Sequence, residues 1–159
     1  MAIEKVRDYF KQWNLDSRIQ EFETSSATVE LAAQALGCAP ERIAKTLSFK
    51  LADKCVLVVT AGDAKIDNAK FKAHFKTKAK MLSPEEVDRC IGHGIGGVCP
   101  FAINADVEVY LDHSLQRFDT VFPACGSNNS VIELTIDELE KYSNCVAWSD
   151  VCKNWQLQA

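Results

Sequence analysis

Two stretches of the chain carry residue types that can do chemistry. The first is Gly92–His93–Gly94–Ile95–Gly96–Gly97–Val98–Cys99–Pro100–Phe101, where four of the seven glycines fall within six residues. Glycine lets another molecule approach the backbone closely, so the loop can aim several N–H groups at one point before Pro100 stiffens its exit. A nest of amides suits an oxyanion, a carboxylate or a phosphate. The same glycines would also serve a tight connection between two elements. The spacing is not GxGxxG, Pro100 would break the helix such a motif opens, and there is no Walker lysine.

The second stretch is Ala44 to Leu51. Lys45, Leu47, Phe49 and Leu51 share one parity, and a strand sends alternate residues to opposite faces. Lys45 is therefore expected on an apolar face. It either reaches solvent along its own stem or stands as a cation at the edge of a pocket, because a buried ammonium is costly without a partner. A third feature is charge. Lys65, Lys70, Lys72, Lys76, Lys78 and Lys80 stand against one acid, Asp67, in a chain whose net charge is −4. That segment is either a solvated face or a local contact for phosphates. His74, His93 and His113 have no evident acidic orienter, so direct water attack is favoured over a serine or cysteine nucleophile. Cys99 is the cysteine whose reactivity merits a test. Cys90 and His93 have a loosely metal-like spacing, but no second pair follows, and neither a metal nor a cofactor is expected.

The elements that must position these residues follow from periodicity. Ile3, Val6, Phe10 and Trp13 mark an amphipathic opening helix. Arg18 to Phe22 alternates like a short strand. Ser25 to Thr28 offer caps for a helix through Val29, Ala32, Ala33 and Leu36, which Gly37 stops. Pro40–Ile43 reads as a helical turn. Cys55 to Thr60 is continuously apolar, as a strand buried on both faces would be, and Gly62–Asp63 turns the chain. Asp67 caps a helix to about Phe75. Ser83, Pro84 and Glu86 make a capping box for a helix ending near Gly92. Strands are expected over Val107–Leu111, Phe118–Phe122 and Val131–Leu134. Thr135 and Glu138 form a second capping box for a helix to about Tyr142. Trp148, Val151 and Trp155 should pack on the core.

The 159 residues fit one domain. Composition is 47% hydrophobic and 25% charged, ordinary for a globular chain. No apolar run approaches the ~20 residues of a membrane span, and Met1–Lys5 has no apolar signal region, so a cytoplasmic location is expected. Seven scattered cysteines, none in a CxxC pair, point to reduced thiols. The mixture of elements predicts an α+β fold: a single domain over 1–159 with a mixed, mostly antiparallel, curled sheet and flanking helices.

One ordered set of residues resembles a known family. It comprises Thr28–Ala33, Ile43–Leu47, Gly96–Phe101, and Gly126 ahead of Ile132–Leu134. Together they look like the YbaK/ProX (YbaK/EbsC) aminoacyl-tRNA deacylases, related to the editing domain of bacterial prolyl-tRNA synthetase. The resemblance runs from about Phe22 to Leu139. It implies hydrolysis of a wrong amino acid from tRNA, often tRNA(Pro), with no cofactor. It implies that Lys45 is the key active-site residue, with Gly96 and Gly97 taking part in catalysis. Thr28, Thr46, Val98, Cys99, Pro100, Phe101, Gly126 and Ser127 would hold the aminoacyl-adenosine end. Lys65, Lys70, Lys72, Lys76 and Lys78 would hold the acceptor stem. Prolyl-tRNA synthetase or an elongation factor is a possible partner, with a monomer or weak homodimer and no membrane. Relatives acting on Cys-tRNA(Pro) carry a serine and an aspartate where this chain has Ala124 and Val131. The pocket is therefore expected to be more apolar, and alanine or 2-aminobutyrate is as good a substrate side chain as cysteine. A pocket that binds an amino acid or nucleotide without turnover is the alternative function.

Overall fold

Val6 and Phe10 fall on one face of helix α1 (Ala2–Lys11) and are fully buried. The Phe10 ring meets Phe101 edge-on at 4.8 Å. The computed structural model describes residues 2–26, 28–94 and 97–155. Ile95 and Gly96 of the glycine loop, and therefore one expected catalytic position, lie outside the described residues.

The helices begin and end where local chemistry directs. Thr28 caps α2 (Val29–Leu36), its side chain accepting from Leu31 N, and Gly37 closes the helix at φ 69°. Asp67 accepts from Ala69 N and Lys70 N at the start of α3 (Asn68–Phe75). Those amide bonds hold its carboxyl below the usual aspartate range. Ser83 with Glu86, and Thr135 with Glu138, form the two capping boxes of α4 (Pro84–Ile91) and α5 (Ile136–Ser143). Caps of this kind contribute about 1 kcal/mol each.

Strands β2 (Ile43–Lys50) and β3 (Cys55–Ala61) form the centre of a six-stranded sheet. Its other members are β5 (Glu108–Asp112), β6 (Thr120–Pro123), β8 (Leu134–Thr135) and β9 (Ala147–Ser149), in the order β8-β6-β2-β3-β5-β9. Two small antiparallel ladders, β1 (Gln20–Glu21) with β7 (Ser130–Val131) and β4 (Lys65–Ile66) with β10 (Cys152–Lys153), stand beside it, with isolated bridges at Phe49↔Met81 and Ala124↔Val131. The curled sheet is mixed. Four of these seven ladders are antiparallel, but three of the five in the large sheet are parallel.

β3 is buried from Val56 to Ala61, as its unbroken apolar run predicts. β2 differs from expectation. Ala44 and Ser48 on one parity, and Phe49 on the other, are all buried. Lys45 therefore does not sit on the one apolar face of a half-solvated strand. Buried residues of both parities flank the half-buried Lys45, Thr46 and Leu47, so the inside–outside contrast its alternation suggested is absent. The expected strand over Val131–Leu134 splits into β7 and β8, which pair with different partners. The tail does pack on the core: Val151 and Cys152 are fully buried, and Trp148 lies opposite Leu111 in a parallel ladder.

The buried side chains divide unequally. The main core joins α1, β3, β5, α4 and α5 around Phe10, Leu57, Phe101 and Leu111. A small second cluster holds Ala32, Ala33, Ile43, Phe122 and Val131, beneath α2.

Candidate active site

Between these two cores lies a cavity of about 370 Å³. The first turn of α2 supplies Thr28, Val29 and Ala32, and β2 supplies six consecutive residues from Ile43 to Ser48. Val98 enters from the glycine loop, Met81 and Leu82 from the segment before α4, Phe122 from β6, Ala124 from just after it, and Val131 from β7. Most of these side chains are apolar. Among the polar ones, Thr28 Oγ1 is committed to capping α2, and Ser26 Oγ donates to Asn128 O at 3.4 Å. Thr46 Oγ1 is buried and has no hydrogen-bond partner among the described residues.

Lys45 is half-buried, and its Nζ donates to Gly62 O across a long 3.4 Å. Burial pulls its pKa below the ordinary lysine value, and the nearby Cys152 and Asp63 oppose that pull. The acceptor is fixed by packing. A Cβ on Gly62 would lie 2.1 Å from Pro40 O and 2.8 Å from Val29 Cγ1, so only glycine lets the turn at Pro40 and the first turn of α2 close over the end of β3. The next residue, Asp63, is gripped by Arg117 through two bonds, Nη1 to Oδ2 at 3.0 Å and Nη2 to Oδ1 at 2.5 Å. Behind it, the buried Asp112 carboxylate accepts from Ser114 N at 3.0 Å and Val151 N at 2.9 Å. The ammonium thus has one weak partner on a rigid frame, which leaves most of its donor capacity for a ligand.

The glycine loop divides into two halves. Gly97 is buried against the turn at Gly126: a Cβ there would lie 2.6 Å from Gly126 C and 2.8 Å from Ser127 N. This packing brings the expected residues Gly97, Gly126 and Ser127 together and delivers Val98 to the cavity. Cys99, Pro100 and Phe101 point elsewhere. Cys99 is fully buried, with Sγ 3.7 Å from Phe101 O, and burial pushes its thiol up to about 12. A nucleophilic role for Cys99 is thereby removed, since the thiolate is the reactive form. Pro100 lines a separate cavity of about 230 Å³ beside Tyr9, and Phe101 is packed against Phe10. These three expected substrate-binding residues anchor the loop and do not line the Lys45 cavity. His93 is also buried, and its Nε2 meets Phe101 O at 2.6 Å.

A model of the aminoacyl-tRNA editing domain matches residues 23–142. The chain belongs to the aminoacyl-tRNA editing domain family. YwhH of Bacillus subtilis (strain 168), described as an uncharacterized protein, is 57% identical over 157 residues, spanning 98% of this chain and 100% of YwhH. Proline--tRNA ligase of Thermotoga sp. (strain RQ2) is 36% identical over 90 residues, which are 56% of this chain and only 15% of the ligase. A crystal structure described as that of a candidate trans-editing enzyme for prolyl tRNA synthetase superposes with a TM-score of 0.86 at 25% identity, covering 96% of this chain and 97% of that one. The hypothetical protein APE2540 gives a TM-score of 0.82 at 27% identity, covering 94% of this chain and 99% of its own.

In this editing domain the basic segment runs toward the cavity. Lys65 lies on β4 and Lys72 on α3, both exposed. Lys72 and Lys78 flank a surface groove of about 410 Å³. Lys76 is exposed at the C-cap of α3, at φ 64°. Among the described residues no carboxylate pairs with these four. Lys70 is different, because its Nζ is held by Asp150 Oδ1 and Cys152 O, each at 3.1 Å. The segment continues through Lys80 to Met81 and Leu82, which line the cavity. Sequence reasoning missed Gly62 and Asp63 as more than a turn, because a Gly–Asp pair reads alike whether or not a neighbour packs on it. It also missed the cavity-lining Met81 and Ser48, which no motif distinguishes.

Proposed function

We propose that this editing domain hydrolyses the ester of a mischarged tRNA, most readily tRNA(Pro) carrying alanine, 2-aminobutyrate or cysteine. The observation that carries the reading is a single cavity in which the lightly partnered Lys45 faces an apolar wall containing Ala124 and Val131. In the reaction a water oxygen bonds to the ester carbonyl carbon, negative charge gathers on the carbonyl oxygen, and the ribose oxygen leaves with a proton. The Lys45 ammonium stabilises that oxyanion or the adjacent phosphate, while Gly97, whose N–H donates to Gly94 O at 3.1 Å, holds the loop in place. Hydrophobic contacts discriminate weakly between small side chains, which is why a free-standing editor is useful where a synthetase pocket has failed.

Thr28, Thr46 and Val98 line the amino-acid side of the cavity. Gly126 and Ser127 support it through Gly97. The exposed Lys65, Lys72, Lys76 and Lys78 hold the acceptor stem, in the cytoplasm where tRNA is charged, with prolyl-tRNA synthetase or an elongation factor as the delivering partner. The test is a panel of tRNAs charged with alanine, 2-aminobutyrate, cysteine and proline, incubated with the wild-type chain and with Lys45→Ala. Release of the small wrong amino acids, abolished in the variant, is expected. Binding of the mischarged tRNA without release by the wild type would replace hydrolysis with a binding function.

A further inference from the structure

Among the described residues, the outward edge of β2 has no pairing strand beside Thr46. In the antiparallel β2–β3 ladder the register runs without a bulge from Ala44↔Ala61 to Lys50↔Cys55. Backbone groups in such a ladder point alternately toward and away from the partner strand. Lys50 N donates to Lys80 O at 2.8 Å, and Ser48 O accepts from Leu82 N at 3.3 Å. The even-numbered residues of β2 therefore turn their N–H and C=O away from β3. Ala44 is taken on that side by β6, through Ala44↔Pro123, while Ser48 and Lys50 are taken by the segment Lys80–Leu82. Thr46 is left between them. Among the described residues no strand pairs with it on that side, and the space beside it is the Lys45 cavity. A second, independent observation sits at the same residue: the Thr46 hydroxyl is buried with no partner among the described residues. Buried donors and acceptors are rarely left unpaired.

We infer that the amino-acid part of the substrate docks opposite Thr46 as a strand one residue long. Its α-ammonium donates to Thr46 O and Oγ1, and its carbonyl accepts from Thr46 N, which is the double exchange of a hydrogen-bonded antiparallel pair. The gap admits one residue because β6 and Lys80–Leu82 close it at either end. The substrate class is therefore an ester of a single α-amino acid with a free ammonium, and N-acylated or peptidyl esters are excluded. The inference rests on the deacylase reading and adds how the amino acid is held.

The test has a binding arm and a turnover arm. The ¹⁵N-labelled editing domain is titrated with alanyl-3′-amino-3′-deoxyadenosine, whose amide link resists hydrolysis. The Thr46 amide signal should move and exchange with solvent more slowly, and the N-acetyl form should bind ~10–100-fold more weakly, as for loss of a hydrogen bond to a charged group. Thr46→Val, which keeps the backbone edge, should weaken binding several-fold and still show the amide shift. A Thr46 amide that stays unmoved while the probe binds, or absence of binding, overturns the inference. In the turnover arm, equal hydrolysis of alanyl- and N-acetylalanyl-tRNA overturns it and leaves the deacylase reading intact. Binding at Thr46 without hydrolysis of any mischarged tRNA supports it and removes the deacylase reading.

Discussion

The region around Thr46 and the region around His93 each hold a buried polar atom without a partner among the described residues, Thr46 Oγ1 in one and His93 Nδ1 in the other. Their surroundings differ. Thr46 borders an open cavity beside a lightly held ammonium, whereas His93 is sealed beneath Cys99 and Phe101 with its other nitrogen already bonded. The contrast separates a binding surface from its anchor. One short motif, Gly97 to Phe101, serves both: its front half supplies the cavity and its back half fastens to α1.

The largest effects should come from breaking each half in turn. Phe101→Ala empties the space beside Phe10 and should cost about 3–5 kcal/mol of stability. Chemical denaturation checks it, and the folded fraction should retain a normal kcat. Lys45→Ala should do the reverse, lowering single-turnover deacylation ~10²–10³-fold, the scale of removing an oxyanion partner. Its melting temperature should barely move, since the ammonium is tied to the fold by one long hydrogen bond of 3.4 Å. If the first variant loses catalysis and the second loses stability, the two regions have been assigned the wrong way round.

Gly97→Ala strikes the junction of the halves. The added methyl would press on the Gly126 backbone at 2.6 Å, so about 1–3 kcal/mol of strain is expected. Turnover should fall with stability, visible as a reduced kcat/KM together with a lower denaturation midpoint. On the tRNA side, Lys72, Lys76 and Lys78 changed together to Glu should raise KM with little change in kcat, because such lysines hold ground and transition states alike. The salt dependence of tRNA binding should flatten by about 0.7–0.9 in log–log slope for each phosphate no longer neutralised. Lys70 is left out of that set because Asp150 and Cys152 O already hold it.

The smallest effect belongs to His93. Burial chiefly lowers its pKa below 6.5, so the ring is neutral in the fold. The unfolded chain then binds the extra proton. Stability from this residue is complete above pH ~6.5 and drains away as pH falls toward the depressed folded value, at most ~1.4 kcal/mol per pH unit. His93→Gln should flatten the acid side of a stability–pH curve. An unchanged slope would mean that another group carries the acid sensitivity.

Much of this was legible in the sequence where a signal is local. Thr28, Asp67, Ser83 and Thr135 cap the helices they announced, and the apolar run after Cys55 is a central strand. What depends on distant neighbours was not legible. β9 and β10 are too short to show a period and exist through pairing with β5 and β4. The alternation in β2 promised one dry face, but Ala44 and Ser48 are buried on the parity it left to solvent, because distant segments pack over them. The resemblance carried Lys45, Thr46 and Val98 to the cavity, yet it could not separate Val98 from Cys99. Adjacent residues on a tight loop point in opposite directions, and only packing reveals which way.

α2 forms one wall of the cavity but rests on its own small cluster of Ala32, Ala33, Ile43, Phe122 and Val131. The half-buried Val29 and Leu36 of the same helix, with Phe22 and Cys38, pack against that cluster. This wall rests on a cluster separate from the main core. Its opening is expected to cost less than global unfolding, since it need not disturb the main core. The amides of Ala32 and Ala33 would report it, exchanging with solvent long before those of Val58 and Leu111.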